Sequence, residues 1–314
     1  MPIPTKQIDI PIQLGDPVEH RGVVVAPLFP RLKPRREYVT LEEALPLGFR
    51  VAEVDAAGSV PELAVANPLD SNVLLYDGEE LLGAKQNRIL NVTVLVAARS
   101  ETRIPVSCVE EGRWHARSFS FGAAKHAAYP ELRRRKAERL SAAPLERGAA
   151  QGEVWQALAE KAGRLGVHSP TGAQGDVFAA RERDLESLRG AFPLQPGQSG
   201  ALLALGERYC VDYVSRPEAF ARLYPKLLEG YLLDALEAVD SPPAGHHDAF
   251  IAAIAEGALG RRPSAGLGDD IRLRGEHFVG SGLELDGELL QLCAFSTENA
   301  ASRTRILRPT RRRI

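Results

Sequence analysis

Through the first third of the chain the apolar positions come in short runs broken by proline and glycine. Residues 8–14, 22–28, 49–54, 73–76, 89–96 and 104–109 each have the length and content of a β-strand. One helical turn is predicted at 40–44, where Thr40 and Glu43 stand at capping-box spacing. The middle reads differently. A basic segment, 133–139, continues as a helix, and 151–165 and 177–188 also read as helical, with a polar loop, 166–175, between them.

The last third carries the clearest local signals. Residues 201–205 and 209–214 flank Gly206-Glu207, a two-residue hairpin turn, and 278–285 and 288–295 flank Asp286-Gly287, a dipeptide that favours a tight hairpin. Ser215-Arg216-Pro217-Glu218 opens a helix with serine as cap and proline early. Phe220, Leu223, Tyr224, Leu227, Leu228, Tyr231 and Leu232 then follow at steps of three and four, the stripe of a helix that packs on one side. A second helix is predicted over 246–259, ended by Gly260. The predicted fold class is α+β: antiparallel β-hairpins at both ends of the chain and a mainly helical middle section. One compact domain is expected, β-rich over 1–115, helical over 116–195 and hairpin–helix–hairpin over 196–300, followed by a basic tail, 301–314. A faint echo links Tyr76-Asp77-Gly78-Glu79-Glu80-Leu81-Leu82 to Leu285-Asp286-Gly287-Glu288-Leu289-Leu290. It suggests similar hairpins at the two ends, or a chance repeat of turn chemistry.

Composition narrows the classes. The 314 residues are 44% hydrophobic and 25% charged with net charge −2, ordinary for a globular protein and unsuited to a global grip on nucleic acid. No run is long and apolar enough to predict a membrane span, and the N-terminus has no signal-peptide pattern. Cys108, Cys210 and Cys293 are an odd, scattered set, which fits a reducing compartment; the expected location is the cytoplasm. No Cys/His spacing predicts a metal ligand set, and no cofactor is identified. The tail, with Arg305, Arg308, Arg311, Arg312 and Arg313, reads as a solvated terminus.

The densest polar run inside apolar sequence is Glu79-Glu80, Lys85-Gln86-Asn87-Arg88 and Asn91. Strand parity puts Leu90, Val92, Val94 and Val96 on one face with Arg88 continuing it, and Ile104, Val106 and Cys108 on another with Glu110 continuing it. Antiparallel pairing with Val94 opposite Ile104 sets Leu90 opposite Cys108 and Arg88 opposite Glu110. A slip of two residues keeps the faces and breaks the last pair. As a ligand site, Lys85 and Arg88 suit a phosphate or carboxylate, Gln86, Asn87 and Asn91 suit polar edges, and Arg113 and Trp114 are favoured at binding surfaces. As structure, Lys85 is a solvated edge charge, Arg88–Glu110 is an ion pair and the amides cap strand ends. Cys108, on a core face, is expected to be a buried, inert thiol, as are Cys210 and Cys293. His246-His247 reads as helix surface, His277 as a strand-edge residue. Gly280 and Gly282 suggest a close approach by another segment or a ligand.

The runs Asp77-Gly78-Glu79, Gly83-Ala84-Lys85-Gln86-Asn87-Arg88 and Ile104-Pro105-Val106-Ser107-Cys108-Val109-Glu110, with Gly112-Arg113-Trp114, resemble a bacterial family. It is the domain called ARG-and-rhodanese-phosphatase-superfamily-associated protein, ARG meaning ADP-ribosylglycohydrolase. The resemblance is specific in 72–115 and extends more weakly to the last hairpin. It implies no established activity; its genomic company makes nucleotide or ADP-ribose-like ligands the first class to test. On that reading Lys85 and Arg88 neutralise a pyrophosphate, Glu79 and Glu110 meet ribose hydroxyls and Trp114 stacks; if hydrolysis occurs, Glu79 or Glu80 is the base. Two other readings stay open: a non-catalytic interaction or scaffold protein using the 220–232 stripe or a sheet edge against a protein partner or another copy, and cysteine-based redox or sulfur chemistry at an accessible Cys108.

Overall fold

The computed structural model describes residues 9–55, 58–115, 118–142, 150–238, 245 and 247–297. His246 and the arginine tail lie outside them. Two antiparallel sheets dominate. The larger has nine strands, in the order Ile12–Leu14, Val23–Pro30, Gly200–Leu205, Arg208–Val214, Glu288–Ser296, Phe278–Leu285, Asp269–Arg274 and Ala258–Pro263, with Val18–His20 also paired to Val23–Pro30. The second has six, in the order Phe121–Ala127, Glu79–Gly83, Arg88–Leu90, Ser100–Cys108, Glu62–Asn67 and Arg50–Glu53. Its two outermost strands approach each other, so it curls into a nearly closed barrel. A small third sheet joins Val94–Val96, Val73–Leu75 and Val39–Thr40.

This overturns the expected layout of hairpin ends around a mainly helical middle. Among the described residues strand exceeds helix, 37% against 29%. The helices Pro130–Ala142, Gln151–Arg164, Gln174–Ala180 and Glu182–Arg189 do fall in the middle, but the strand Phe121–Ala127 in the same stretch belongs to the barrel. Nor are the two ends separate: Val23–Pro30 pairs along its length with Gly200–Leu205, Leu202 standing opposite Ala26. Local patterning reports that a segment is extended; it does not report a partner so far away in the chain.

Both strong hairpins form where the turn dipeptides indicate. Asp286 and Gly287 take φ of 49° and 77°, and Gly206 takes 56°. The echo at Asp77-Gly78 is no such hairpin, because Val73–Leu75 and Glu79–Gly83 belong to different sheets. The 89–96 run also divides: Arg88–Leu90 stays in the barrel and Val94–Val96 leaves it for Val73–Leu75. The helix Leu41–Ala44 has its capping residue, the Glu43 carboxylate accepting from the Thr40 backbone N–H and hydroxyl at 2.9 and 2.8 Å. The helix Pro217–Ala235 starts one residue later than expected. Arg216 is its cap and Pro217 its first residue, while Ser215 bonds the Tyr38 hydroxyl at 3.0 Å. The helix His247–Glu256 ends earlier than expected, and Gly260 lies inside the strand Ala258–Pro263.

The whole stripe from Phe220 to Leu232 is buried. The helix carrying it wedges between the barrel and the larger sheet. At Gly230 it passes so close to Ala128 that an added Cβ would lie 3.1 Å from that carbonyl oxygen. The inward positions of the barrel strands share one core, although Phe121–Ala127 breaks its alternation at a bulge between Ala123 and Ala127. Val51, Leu63, Val65, Leu81, Leu90, Ile104, Val106 and Phe121 point inward into one apolar cluster. Ile89 and Val109 join the cluster between barrel, helix and larger sheet. Each such side chain contributes roughly 1.5–3 kcal/mol when fully buried. Gly280 and Gly282 do mark a close approach: a Cβ there would sit 2.8 Å from the Cys293 carbonyl oxygen and 2.7 Å from that of Gln291. No described helix is long and apolar enough to cross a membrane.

Candidate functional site

One end of the barrel is closed by the turn between Glu79–Gly83 and Arg88–Leu90. Gly83 and Ala84 take φ of 129° and 42° there, and the alanine is under the strain that a left-handed residue with a Cβ carries. Arg113, fully buried, braces this turn. Its Nη1 donates to the carbonyls of Ala84 (2.7 Å) and His115 (3.0 Å), and its Nη2 donates to Asn87 Oδ1 (3.1 Å) and pairs with Glu110 (2.6 Å). Gln86 Nε2 donates to the Glu110 carbonyl at 2.8 Å, and the Asn87 backbone N–H donates to the Glu110 carboxylate at 3.3 Å. Four of the predicted residues, Gln86, Asn87, Glu110 and Arg113, thus come together as a mutually bonded frame. Asn91 is apart from it and accepts from the Ser107 hydroxyl at 2.8 Å.

Arg88 points into the barrel end held by this frame. The register is Leu90 opposite Val106 and Arg88 opposite Cys108, a slip of two from the expected pairing, so Glu110 is released to Arg113. Arg88 Nη1 donates to Gln86 Oε1 at 2.8 Å. Its Nε and Nη2 have no hydrogen-bond partner among the described residues, although the side chain is fully buried. The nearest carboxylate is Glu53, 4.0 Å from Nη2, whose Oε2 is likewise without a partner. Burial pulls the Arg88 guanidinium below its ordinary range, against the pull of Cys108 and Glu53. Trp114 forms the outer wall, 48% exposed, its ring centroid 5.6 Å from the Arg88 guanidinium and 5.5 Å from Lys85 Nζ.

The two glutamates do not share this site. Glu80 stands opposite Ile89 and Leu81 opposite Arg88, so Glu80 and Arg88 project from opposite faces of the sheet. Glu80 Oε2 meets His126 Nε2 at 2.7 Å and accepts from Gln174 Nε2 at 2.5 Å. Glu79 is bonded to Lys226 (3.2 Å) and to the Tyr76 backbone N–H (2.9 Å).

Sequence reasoning missed a heavily charged interior between the barrel and the larger sheet. Arg133, fully buried, donates from Nε to Asp77 and from both terminal nitrogens to Asp212; Lys136 donates to Asp77 at 2.9 Å and to the Leu90 carbonyl at 2.6 Å. Burial lowers the Lys136 pKa, with Asp77 opposing. The basic run 133–139 looks like a solvated helix face. The legible signal was Asp212, a lone charge inside an apolar strand. Glu131, Asp234 and Glu237 draw together as metal ligands would, but the Lys161 ammonium is already bonded to all three. A cavity of about 250 Å³, floored by Leu203, Leu205, Cys210 and Phe295, lies at one end of the central strands of the larger sheet and takes in none of the predicted site residues. The three cysteines are free and buried, as expected, and burial raises Cys108 to about 11. That removes a reactive thiolate at Cys108.

No curated protein and no solved structure matches the chain. The model of one family, the ARG and Rhodanese-Phosphatase-superfamily-associated Protein domain, matches residues 11–295, a span that takes in both large sheets and the Arg88 end of the barrel, and the chain belongs to that family.

Proposed function

We propose that the Arg88 end of the barrel binds the anionic part of a nucleotide or ADP-ribose-like ligand. One observation carries the reading: the Nε–Nη2 edge of a buried arginine without a hydrogen-bond partner among the described residues. That edge presents two parallel N–H donors matched to a phosphate or carboxylate. Arg99 uses the same edge on Asp70, with bonds of 2.8 and 2.9 Å. Lys85, Arg88 and Arg113 outnumber Glu53 and Glu110 at this end, so an anion improves its charge balance. A barrel mouth is a common seat for small ligands. The ligand reaches Arg88 by displacing the Trp114 ring, which then stacks on a base.

The test is thermal-shift screening with ADP-ribose, NAD and mononucleotides, repeated on Lys85→Ala/Arg88→Ala. The expected result is a ligand-dependent rise in melting temperature that the double variant loses. A folded double variant that keeps the full response removes the site. A scaffold role is the second reading, supported by Leu82, Trp114 and Phe119, which are large, exposed and close in sequence or across the sheet. Light scattering showing a defined assembly that dissociates on Phe119→Ser would favour it.

A further inference from the structure

Seven carboxylates are buried among the described residues: Asp77, Glu79, Glu80, Glu110, Asp212, Asp234 and Asp270. Six of them are paired with lysine or arginine: Asp77 with Arg133 and Lys136, Glu79 with Lys226, Glu110 with Arg113, Asp212 with Arg133, Asp234 with Lys161 and Asp270 with Arg262 and Arg272. Glu80 differs. Its ion-pair partner is a histidine, and its other neighbour is an amide. Its Oε1 has no hydrogen-bond partner among the described residues, and neither has Gln174 Oε1, although both side chains are buried. Two buried acceptors without a donor are costly, and such a pair favours a cation or a water beside it.

We propose that Glu80, His126 and Gln174 bind a divalent first-row transition cation, Zn²⁺ or Mn²⁺, on the outer face of the barrel. An imidazole nitrogen, a carboxylate and an amide oxygen form a donor set suited to such ions. A half-turn of the Gln174 amide brings its oxygen to where its nitrogen now meets Glu80; the two orientations are hard to tell apart by shape. The three side chains are held from separate elements. Glu80 is on a central barrel strand and His126 on the neighbouring edge strand. Gln174 opens a short helix whose first N–H is tied to the Val109 carbonyl at 2.9 Å. Phe178 stacks on the His126 ring at 3.9 Å and 19°, fixing its plane. The His126 side chain is 14% exposed, so the cluster is not sealed from solvent. This site lies across the sheet from Arg88, so the failure of either reading leaves the other standing.

The experiment titrates Zn²⁺ and Mn²⁺ separately into the chelator-treated full chain by calorimetry. The expected result is one equivalent bound, with a dissociation constant that rises more than about tenfold in both His126→Ala and Gln174→Met. The surface variant His277→Ala, as a control for adventitious histidine binding, is expected to bind as the parent does. Glu80→Gln keeps the shape and is expected to lose binding; should it not fold, the other two variants decide. The absence of stoichiometric binding by either ion, or unchanged affinity in His126→Ala and Gln174→Met, overturns the proposal.

Discussion

Arg133 holds Asp212 with both terminal nitrogens, Nη1 to Oδ2 at 2.8 Å and Nη2 to Oδ1 at 2.6 Å, and neither side chain reaches solvent. The pair ties the helix Pro130–Ala142 to a central strand of the larger sheet, and the third donor, Nε, reaches back to Asp77 at the barrel. The hydroxyls of Tyr76 and Tyr231 each donate to Asp212 at 2.6 Å, so every oxygen of that carboxylate is satisfied. A buried pair need not add net stability over apolar residues, but half of one is strongly destabilising. Asp212→Asn is therefore expected to cost about 3–5 kcal/mol. Joint replacement, Arg133→Met with Asp212→Leu, is expected to cost less than the sum of the single variants. Urea denaturation of Asp212→Asn, Arg133→Met, Asp212→Leu and the double variant measures this.

Gly78 is the backbone counterpart of that pairing. It takes φ +81°, and a Cβ would stand 2.7 Å from Arg133 Cδ. Gly287 has a nearly equal φ, +77°, but open space around it. Gly287→Ala is expected to cost only the left-handed penalty, about 1–2 kcal/mol. Gly78→Ala adds a steric push against a fixed arginine and should be the worse of the two. Equal melting temperatures for the two variants would mean that Arg133 yields freely.

The turns and faces of this fold were legible in the sequence, and the partnerships were not. Asp286-Gly287, the Thr40–Glu43 cap and the Phe220 to Leu232 stripe are local rules obeyed locally. Parity correctly assigned Arg88 to the same face as Leu90 and Cys108 to that of Val106. Register was not fixed by parity, since a slip of two preserves every face; Arg113, five residues beyond the end of the strand Ser100–Cys108, claimed Glu110 instead. The pairing of Val23–Pro30 with Gly200–Leu205 and the meeting of Asp77 with Arg133 leave no local trace. Glu80 and His126 are brought together by strands that a single sequence does not register against each other.

Burial raises Cys108 and Cys293 from the ordinary thiol value to about 11. A thiol with a raised folded-state pKa contributes stability that is complete below the unfolded value, near pH 9, and lost as pH rises through about 11. Lys136, lowered by burial, works in the other direction over its own window. The expected outcome is a fall in unfolding free energy between pH 9 and 11 that Cys108→Ala makes shallower by about 1–2 kcal/mol. Urea midpoints at pH 8 and 10.5 read it directly. In the same native protein at pH 8, a thiol reagent is expected to label Cys108 no faster than global unfolding exposes it. Prompt labelling would restore a reactive role for this cysteine.

Trp114 offers an optical readout of the barrel end. The chain has two tryptophans, so a Trp155→Phe background isolates it. Its indole lies over Lys85 and Arg88 at 5.5 and 5.6 Å, and a ligand that takes the Arg88 fork must move it. ADP-ribose or AMP is therefore expected to change Trp114 emission in proportion to occupancy. Arg88→Lys keeps the positive charge but removes the paired donors. Losing a charge-assisted bidentate contact costs about 1.5–3 kcal/mol, a rise in dissociation constant of roughly 10–100-fold. If only net charge mattered, Arg88→Lys would bind nearly as the parent does and Lys85→Ala would be the damaging change. Fluorescence titrations of the two variants side by side separate a shaped anion site from a diffuse positive patch.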